Sequence, residues 1–85
     1  VVVGRSDKVT GPYFDKDGVD MMDGGGTVVV SGNGQFAGAG HCAVTAINGE
    51  DHIFMHGYDR DFDYRSKLLI RKISWSADGW PAVEL

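Results

Sequence analysis

One histidine of this 85-residue chain stands in a sequence context that suits chemistry. His41 ends the segment Gly38-Ala39-Gly40-His41 and directly precedes a strand-like run, Cys42–Ile47. Glycine on both sides of one alanine lets the backbone turn sharply and pack closely, so this segment delivers a single imidazole to the start of a strand. One imidazole is too few for a protein-built zinc site, which takes three or four ligands. His41 is therefore either a structural histidine or the only protein ligand of a weakly held ion that is otherwise bound by water.

The other candidate ligands and nucleophiles have simpler interpretations. His56 alternates with apolar neighbours, so it either lines a pocket or is capped by a carbonyl, and we favour the structural role. His52 follows a turn and is expected to be exposed. Cys42 is adjacent to His41, so its side chain should point to the opposite side of the strand. A Cys–His nucleophile pair is not expected, and Cys42 is predicted to be a small buried core residue.

The aspartates are clustered, but their spacing does not match a calcium loop. The segment Asp15–Asp20 superficially resembles one, yet an EF-hand needs a glutamate at position twelve, and that position is Gly26. We interpret these aspartates as a solvated turn. A catalytic carboxylate pair needs an apolar setting that separates the two pKa values, and no acidic residue lies in such a sequence context. The chain is therefore expected to lack a catalytic pair.

Composition bounds the classes of function. The chain has 13 glycines, one cysteine and a net charge of −4. A single cysteine allows no intramolecular disulfide, although domains this small usually need a disulfide, a metal or a partner. The acidic balance argues against a nucleic-acid partner, because basic stripes are the footprint of such proteins. No apolar run is long enough to span a membrane. The opening Val1-Val2-Val3 is typical of a strand cut midway, so we expect a piece of a larger protein.

The apolar runs are short, β-branched and bounded by Gly, Asn and Asp, which is typical of strands and turns. An all-β unit of short antiparallel strands follows, as in a sandwich, a barrel or a propeller blade. Asn48-Gly49 should close a tight hairpin, and Thr10–Gly26 should be irregular. Trp75, Trp80 and Pro81 are expected to pack and to end the last strand. The predicted strands are Val1–Gly4, Thr27–Ser31, Cys42–Asn48, His52–Tyr58 and Lys67–Ser74.

Seven short motifs follow one another along nearly the whole chain. In order, they are Val2-Val3-Gly4-Arg5-Ser6, Gly11-Pro12-Tyr13-Phe14-Asp15, Asp23-Gly24-Gly25-Gly26-Thr27, Gly38-Ala39-Gly40-His41, His56-Gly57-Tyr58-Asp59, Leu68-Leu69-Ile70 and Trp75 to Pro81. This ordered series resembles glycoside hydrolase family 43, and within it the endo-acting α-1,5-L-arabinanases.

The resemblance implies a five-bladed β-propeller with a substrate cleft across one face. Residues 1–85 would be the C-terminal part of a single catalytic propeller domain, comprising the end of the fourth blade and the fifth blade. His41 would hold a metal, usually calcium, that is otherwise bound by water near the active site. The family's inverting mechanism uses two aspartates and a glutamate from earlier blades, so no catalytic residue maps onto this chain. The implied partners are plant cell-wall arabinan and the remaining blades, and the implied location is secreted or periplasmic.

Two departures from the family pattern and one further candidate accompany this resemblance. Ala39 stands where the family usually has proline, and the aromatic residue common before the final catalytic-face strand is replaced around His52. Relatives that act on xylosides place an arginine before the last long strand, so Arg65 is a candidate substrate-binding residue. The expected function is arabinan hydrolysis by the complete enzyme. The alternatives are an exo-acting β-xylosidase or α-L-arabinofuranosidase of the same family, or a non-catalytic sugar-binding propeller piece.

Overall fold

A computed structural model describes all 85 residues, and it consists of β-strands with two single-turn 3-10 helices. This confirms the all-β fold class. None of the helices has the length and apolar character that a membrane crossing requires. The strands are β1 (Val2–Val3), β2 (Thr27–Val28), β3 (Phe36–Ile47), β4 (Glu50–Asp59), β5 (Arg65–Lys72), β6 (Ser74–Trp75) and β7 (Pro81–Ala82), and the 3-10 helices are Met21–Asp23 and Arg60–Phe62.

The strands form three antiparallel sheets, and the largest of them is β3-β4-β5. Its first hairpin turns at Asn48-Gly49, as expected, and joins Ile47 to its register partner Glu50. Both turn residues have left-handed φ angles, +52° and +79°. A two-residue hairpin loop needs this backbone conformation at both positions, and Asn-Gly adopts it at low cost.

The boundaries of β3 differ most from prediction. The strand begins at Phe36 rather than Cys42, so His41 lies inside the strand and not at its start. The glycines of Gly38-Ala39-Gly40 favoured a loop because glycine weakens a strand interior, but here they occupy irregular strand positions. The predicted strand Lys67–Ser74 is also divided, since β5 ends at Lys72 and β6 pairs with β7 in a separate sheet.

The core lies under one face of the central sheet. Side chains alternate between the two faces of a strand, and the odd-numbered positions of β4 point inward. Ile53 and Met55 are the most deeply buried side chains, at 2% and 1% exposure. Full burial of one such side chain contributes about 1.5–3 kcal/mol of stability. The core cluster is Val30, Ala39, Ile53, Met55, Leu69 and Ile73.

The opposite face of the same sheet is apolar and open. The even-numbered positions of β4 and β5 carry Tyr58, Leu68 and Ile70, which are 45%, 67% and 45% exposed. Phe54 lies on the same face and is half-buried, with Ile70 as its register partner. A contiguous apolar patch of this kind marks a surface that contacts another structural unit.

Asp15 organises the irregular segment that precedes β2. Its Oδ1 accepts hydrogen bonds from the backbone N–H groups of Asp17 and Val19, and its Oδ2 accepts one from Gly26, at 2.9–3.0 Å. These donors, Gly26 first, hold the pKa of the Asp15 carboxyl below its usual value. Asp15 is buried, so the interpretation of the cluster as a solvated turn is wrong for this residue.

The two ends of the chain meet around Trp80. The Arg5 guanidinium lies 4.4 Å from the Trp80 ring centroid and donates a hydrogen bond of 2.9 Å to the Asp78 carbonyl. Trp80 is buried, which confirms its packing role. Trp75 is 54% exposed, and its indole N–H donates to the Asp51 carboxylate at 2.9 Å. The prediction that Trp75 packs in the core is wrong because β6 leaves the central sheet.

We expect Asp15→Asn to destabilise the protein near neutral pH, because the amide lacks the charge that strengthens the three backbone hydrogen bonds. The folded-state pKa of Asp15 is lowered, so its contribution is fully present above the unfolded pKa of about 3.9. That contribution is lost as pH falls through the folded-state pKa. Urea unfolding at about pH 7 and then at pH values below about 4 should show the difference between the two proteins shrinking.

Asp17→Asn is the matched control for this experiment. Asp17 lies in the same loop, is exposed, and offers only its backbone N–H to Asp15. The control should therefore unfold like the unchanged protein throughout the pH series. A stability loss in Asp15→Asn that stayed constant with pH would contradict the role of the ionised carboxylate.

Candidate metal centre

The position of His41 is set by two β-bulges in β3. The first lies between Ala37 and Gly40, and the second lies between Gly40 and Ala43. In each bulge, three residues of β3 span the distance covered by two residues of β4. An extra residue of this kind bends the strand and changes the direction in which the following side chains point.

The second bulge brings His41 beside His56. Gly40 is the register partner of His56, so the next residue of a regular strand would point to the opposite face. His41 instead adopts a left-handed φ of +50°. Its ring centroid lies 5.4 Å from that of His56, the ring planes differ by 27°, and both side chains are exposed. Sequence reasoning considered these histidines separately, and only knowledge of the bulge between Gly40 and Ala43 could have indicated the pairing.

Gly38 is a position in β3 where the backbone requires glycine. It has a left-handed φ of +59°, and a Cβ built there would lie 3.1 Å from Cδ2 of the Tyr58 ring. Gly40 differs, because its φ is outside the left-handed region and a Cβ there would meet only the Gly38 carbonyl oxygen at 3.8 Å. The first bulge therefore requires glycine at position 38, whereas a side chain at position 40 would meet no close contact.

The remaining predicted ligands and nucleophiles lie outside this pair. Cys42 is exposed, so the prediction that it is a buried core residue is wrong: it lies within the second bulge, between Gly40 and Ala43, and away from the core. His52 is half-buried rather than exposed, and its Nδ1 lies 2.9 Å from the Glu50 carbonyl oxygen. Glu50 also forms an ion pair of 3.0 Å with Lys72, which lowers the pKa of the Glu50 carboxyl.

The register separates Arg65 from the histidine pair. Arg65 pairs with Asp59, three residues beyond His56 on β4, which is about 10 Å along a strand. Asp59 and His56 lie at odd and even positions of β4, so Arg65 and His56 are on opposite faces of the sheet. Arg65 is exposed, and its role in substrate binding stays a prediction.

Three carboxylates of the chain, those of Asp15, Glu50 and Asp78, have clearly displaced pKa values. The three with clearly displaced pKa values are all shifted downward, whereas a general acid needs a raised pKa. A lowered pKa keeps a carboxyl ionised at neutral pH and unable to donate a proton. The largest causes are the Gly26 backbone N–H for Asp15, the Lys72 side chain for Glu50 and the Ser76 hydroxyl for Asp78.

Few possible metal ligands lie near His41, so an ion bound there would keep water molecules as its other ligands. No group of three or more His, Cys, Asp or Glu side chains in the chain is arranged to hold a metal. An open cleft of about 500 Å³ lies between Arg5, Lys8, Lys16 and Trp80, and His41 does not line it. His41 and this cleft are therefore different places in the chain.

Curated relatives of known activity match almost the whole chain, although no protein-family model matches it. An extracellular exo-α-(1→5)-L-arabinofuranosidase of Cellvibrio japonicus is 43% identical over 84 residues, covering 99% of this chain and 24% of that protein. An extracellular endo-α-(1→5)-L-arabinanase of Bacillus subtilis is 43% identical over 82 residues, covering 96% and 24%. The chain thus spans about a quarter of the length of the curated relatives it matches.

Solved structures of arabinanases also match almost the whole chain. A Cellvibrio cellulosa α-L-arabinanase superimposes with a TM-score of 0.92 at 43% identity, covering 98% of this chain and 26% of that one. A GH43 endo-arabinanase from Bacillus licheniformis gives a TM-score of 0.83 at 43% identity, covering 95% and 27%. This chain belongs to glycoside hydrolase family 43. Its strands correspond to about a quarter of the family's five-bladed β-propeller, which confirms the predicted fold.

We expect Gly38→Ala to destabilise this family 43 chain by about 1–2 kcal/mol, the usual cost of a left-handed backbone for a residue with a Cβ. Contact with the Tyr58 ring adds to that cost. Gly40→Ala, two residues away in the same bulged segment, should change the free energy of unfolding much less. Urea unfolding of both variants measures the difference, and equal losses would show that the bulge does not depend on Gly38.

Proposed function

We propose that the complete protein containing this chain is a glycoside hydrolase that cleaves α-1,5-linked arabinan with inversion at the anomeric carbon. Residues 1–85 supply the C-terminal part of its single propeller catalytic domain. The observation that carries this proposal is the 43% identity, over 99% of the chain, with the Cellvibrio japonicus arabinofuranosidase. The TM-score of 0.92 with the Cellvibrio cellulosa arabinanase also supports it.

The mode of cleavage has two candidates. An exo-acting and an endo-acting relative match at the same 43% identity, so the residues of this chain favour arabinan as substrate without favouring either mode. Endo-action is our leading proposal, and exo-action as an α-L-arabinofuranosidase is the second. A further Cellvibrio cellulosa arabinanase structure is a complex with arabinohexaose, which supports a polymeric or oligomeric arabinan substrate. The two bacterial relatives are named extracellular, so we infer that the complete protein is secreted or periplasmic.

The open apolar face of the central sheet supports the assignment to a larger propeller. A single blade cannot bury both of its faces, so each blade packs against the next. We propose that the preceding blades of the same domain cover Phe54 and its register partner Ile70, and that they leave His56 open to solvent. Burial of these side chains contributes stability that the chain by itself lacks.

His41 is the residue of this chain that we place near the active site of the complete protein. His41 is exposed, and no group of three or more His, Cys, Asp or Glu side chains of this chain is arranged to hold a metal, so an ion such as calcium would keep mostly water oxygens as ligands here. When bound, calcium supplies positive charge that favours ionised carboxylates nearby. His41 holds the position of the ion, while the acid and the base come from the other blades.

His41→Ala in the complete protein should lower calcium binding and reduce arabinan hydrolysis by about 10–100-fold, the usual cost of disturbing a metal site. Calcium content is measured by calorimetric titration, and hydrolysis by release of reducing ends. His52→Ala is the matched control, because His52 contacts the Glu50 carbonyl and lies outside the pair. The control should keep both properties. Unchanged calcium binding in His41→Ala would show that His41 is structural.

The complete protein should hydrolyse linear arabinan with inversion, while residues 1–85 alone should release nothing. Hydrolysis needs one group to protonate the leaving oxygen and another, about 6.5–9.5 Å away, to activate water. The displaced carboxyl pKa values of this chain are all lowered, which is unsuitable for the acid. Proton NMR of the first product gives the anomeric configuration, and the product lengths separate endo- from exo-action.

Two results would count against these assignments. Retention of anomeric configuration by the complete protein would contradict the inverting mechanism. Turnover by residues 1–85 alone, at a rate comparable to that of the complete protein, would contradict the assignment of the catalytic carboxylates to the other blades.

A further inference from the structure

His41 and His56 present two imidazole rings side by side at the second bulge of β3. Their centroids are 5.4 Å apart, and both side chains are exposed. No hydrogen bond within the chain engages a nitrogen of either ring. His52 differs, because its Nδ1 is directed at the Glu50 carbonyl oxygen. The ring nitrogens of His41 and His56 are therefore available as metal donors.

We propose that His41 and His56 together chelate a borderline divalent cation of the Zn²⁺, Ni²⁺ or Cu²⁺ class, with water in the remaining positions. The proposal rests on the assignment of His41 as a metal ligand, and it adds His56 and a second class of cation. Imidazole nitrogen is a preferred ligand of these cations, whereas calcium takes oxygen ligands. Two adjacent imidazoles therefore favour cations of this class over calcium.

The geometry of the pair is compatible with one shared ion. A zinc–nitrogen bond of about 2.1 Å places the ring centroid roughly 3 Å from the metal, so two rings 5.4 Å apart can flank a single cation. Exposed side chains change rotamer within nanoseconds, which allows each ring to turn one nitrogen toward the ion.

The surroundings of the pair favour a cation that exchanges readily. The register partners of His56 are Gly40 on β3 and Leu68 on β5, so no lysine or arginine faces it across either strand pair. No third His, Cys, Asp or Glu completes the set. Two protein ligands and open water positions make a reversible site, unlike a closed four-ligand zinc site.

Competition at His41 follows from this arrangement. Hydrated calcium uses His41 alone, whereas a cation of the zinc class uses both rings. Binding of the second class should therefore displace calcium from the complete enzyme and inhibit hydrolysis. Addition of calcium in excess should restore activity.

The test is a titration of the metal-free complete protein with Cu²⁺, followed by electron paramagnetic resonance, and with Zn²⁺, followed by calorimetry. The variants are His56→Ala, His56→Gln and His41→Ala, with His52→Ala as the matched control. Each variant is compared with the unchanged protein, so that cation bound elsewhere cancels. We expect the unchanged protein and His52→Ala to show two nitrogen ligands on Cu²⁺.

Both His56 variants should lose one nitrogen ligand and bind Zn²⁺ about tenfold more weakly or worse, while calcium binding is retained. The glutamine variant keeps a polar side chain of similar length, so agreement between the two variants excludes a folding effect. A two-nitrogen spectrum and an unchanged Zn²⁺ affinity in the His56 variants would overturn the proposal. Loss of calcium in His41→Ala tests the calcium assignment separately, since that result does not depend on His56.

Discussion

The antiparallel pairing of β3 with β4 is the constraint on which the rest of this structure depends. β4 is the central strand of the largest sheet, and its alternating side chains serve two different surfaces. Ile53 and Met55 point into the core, while Phe54 and His56 point to the open face. β3 carries two extra residues against this fixed partner and therefore forms two bulges, the first with a left-handed Gly38 and the second with a left-handed His41.

Several carboxylates of this chain form hydrogen bonds or ion pairs that stabilise its own fold. Asp15 satisfies three backbone donors, Glu50 pairs with Lys72, and Asp78 accepts the Ser76 hydroxyl. No buried side-chain nitrogen or oxygen lacks a partner. Carboxylates held ionised in this way stabilise loops and turns but cannot act as proton donors at neutral pH. We propose that this chain contributes imidazoles and packing surfaces to the complete protein, and that the acid–base chemistry belongs to other blades.

The sequence predicted the fold class and the hairpin at Asn48-Gly49, because short-range patterns carry these features. It did not predict the pairing of His41 with His56, since that contact depends on an inter-strand register shifted by two bulges. The burial of Asp15 was missed for a related reason: its donors include Gly26, eleven residues away. The exposure of Cys42 and Trp75 follows from a bulge and a strand that changes sheets, and neither alters the local pattern of residue types.

The left-handed backbone at His41 determines the direction in which its imidazole points. Four non-glycine residues have left-handed φ angles, and three of them, Asn48, Asp63 and Tyr64, lie in the turns that join consecutive strands. His41 is inside a strand, where nothing about chain reversal requires this conformation. A residue with a Cβ pays about 1–2 kcal/mol for a left-handed backbone and keeps it only where its surroundings impose it. Here the bulged register imposes it, and the result is an imidazole turned from its regular face toward a second imidazole. A regular strand with the same residues would be more stable locally, but it would put His41 on the face opposite His56. The two imidazoles would then not lie side by side as possible metal ligands.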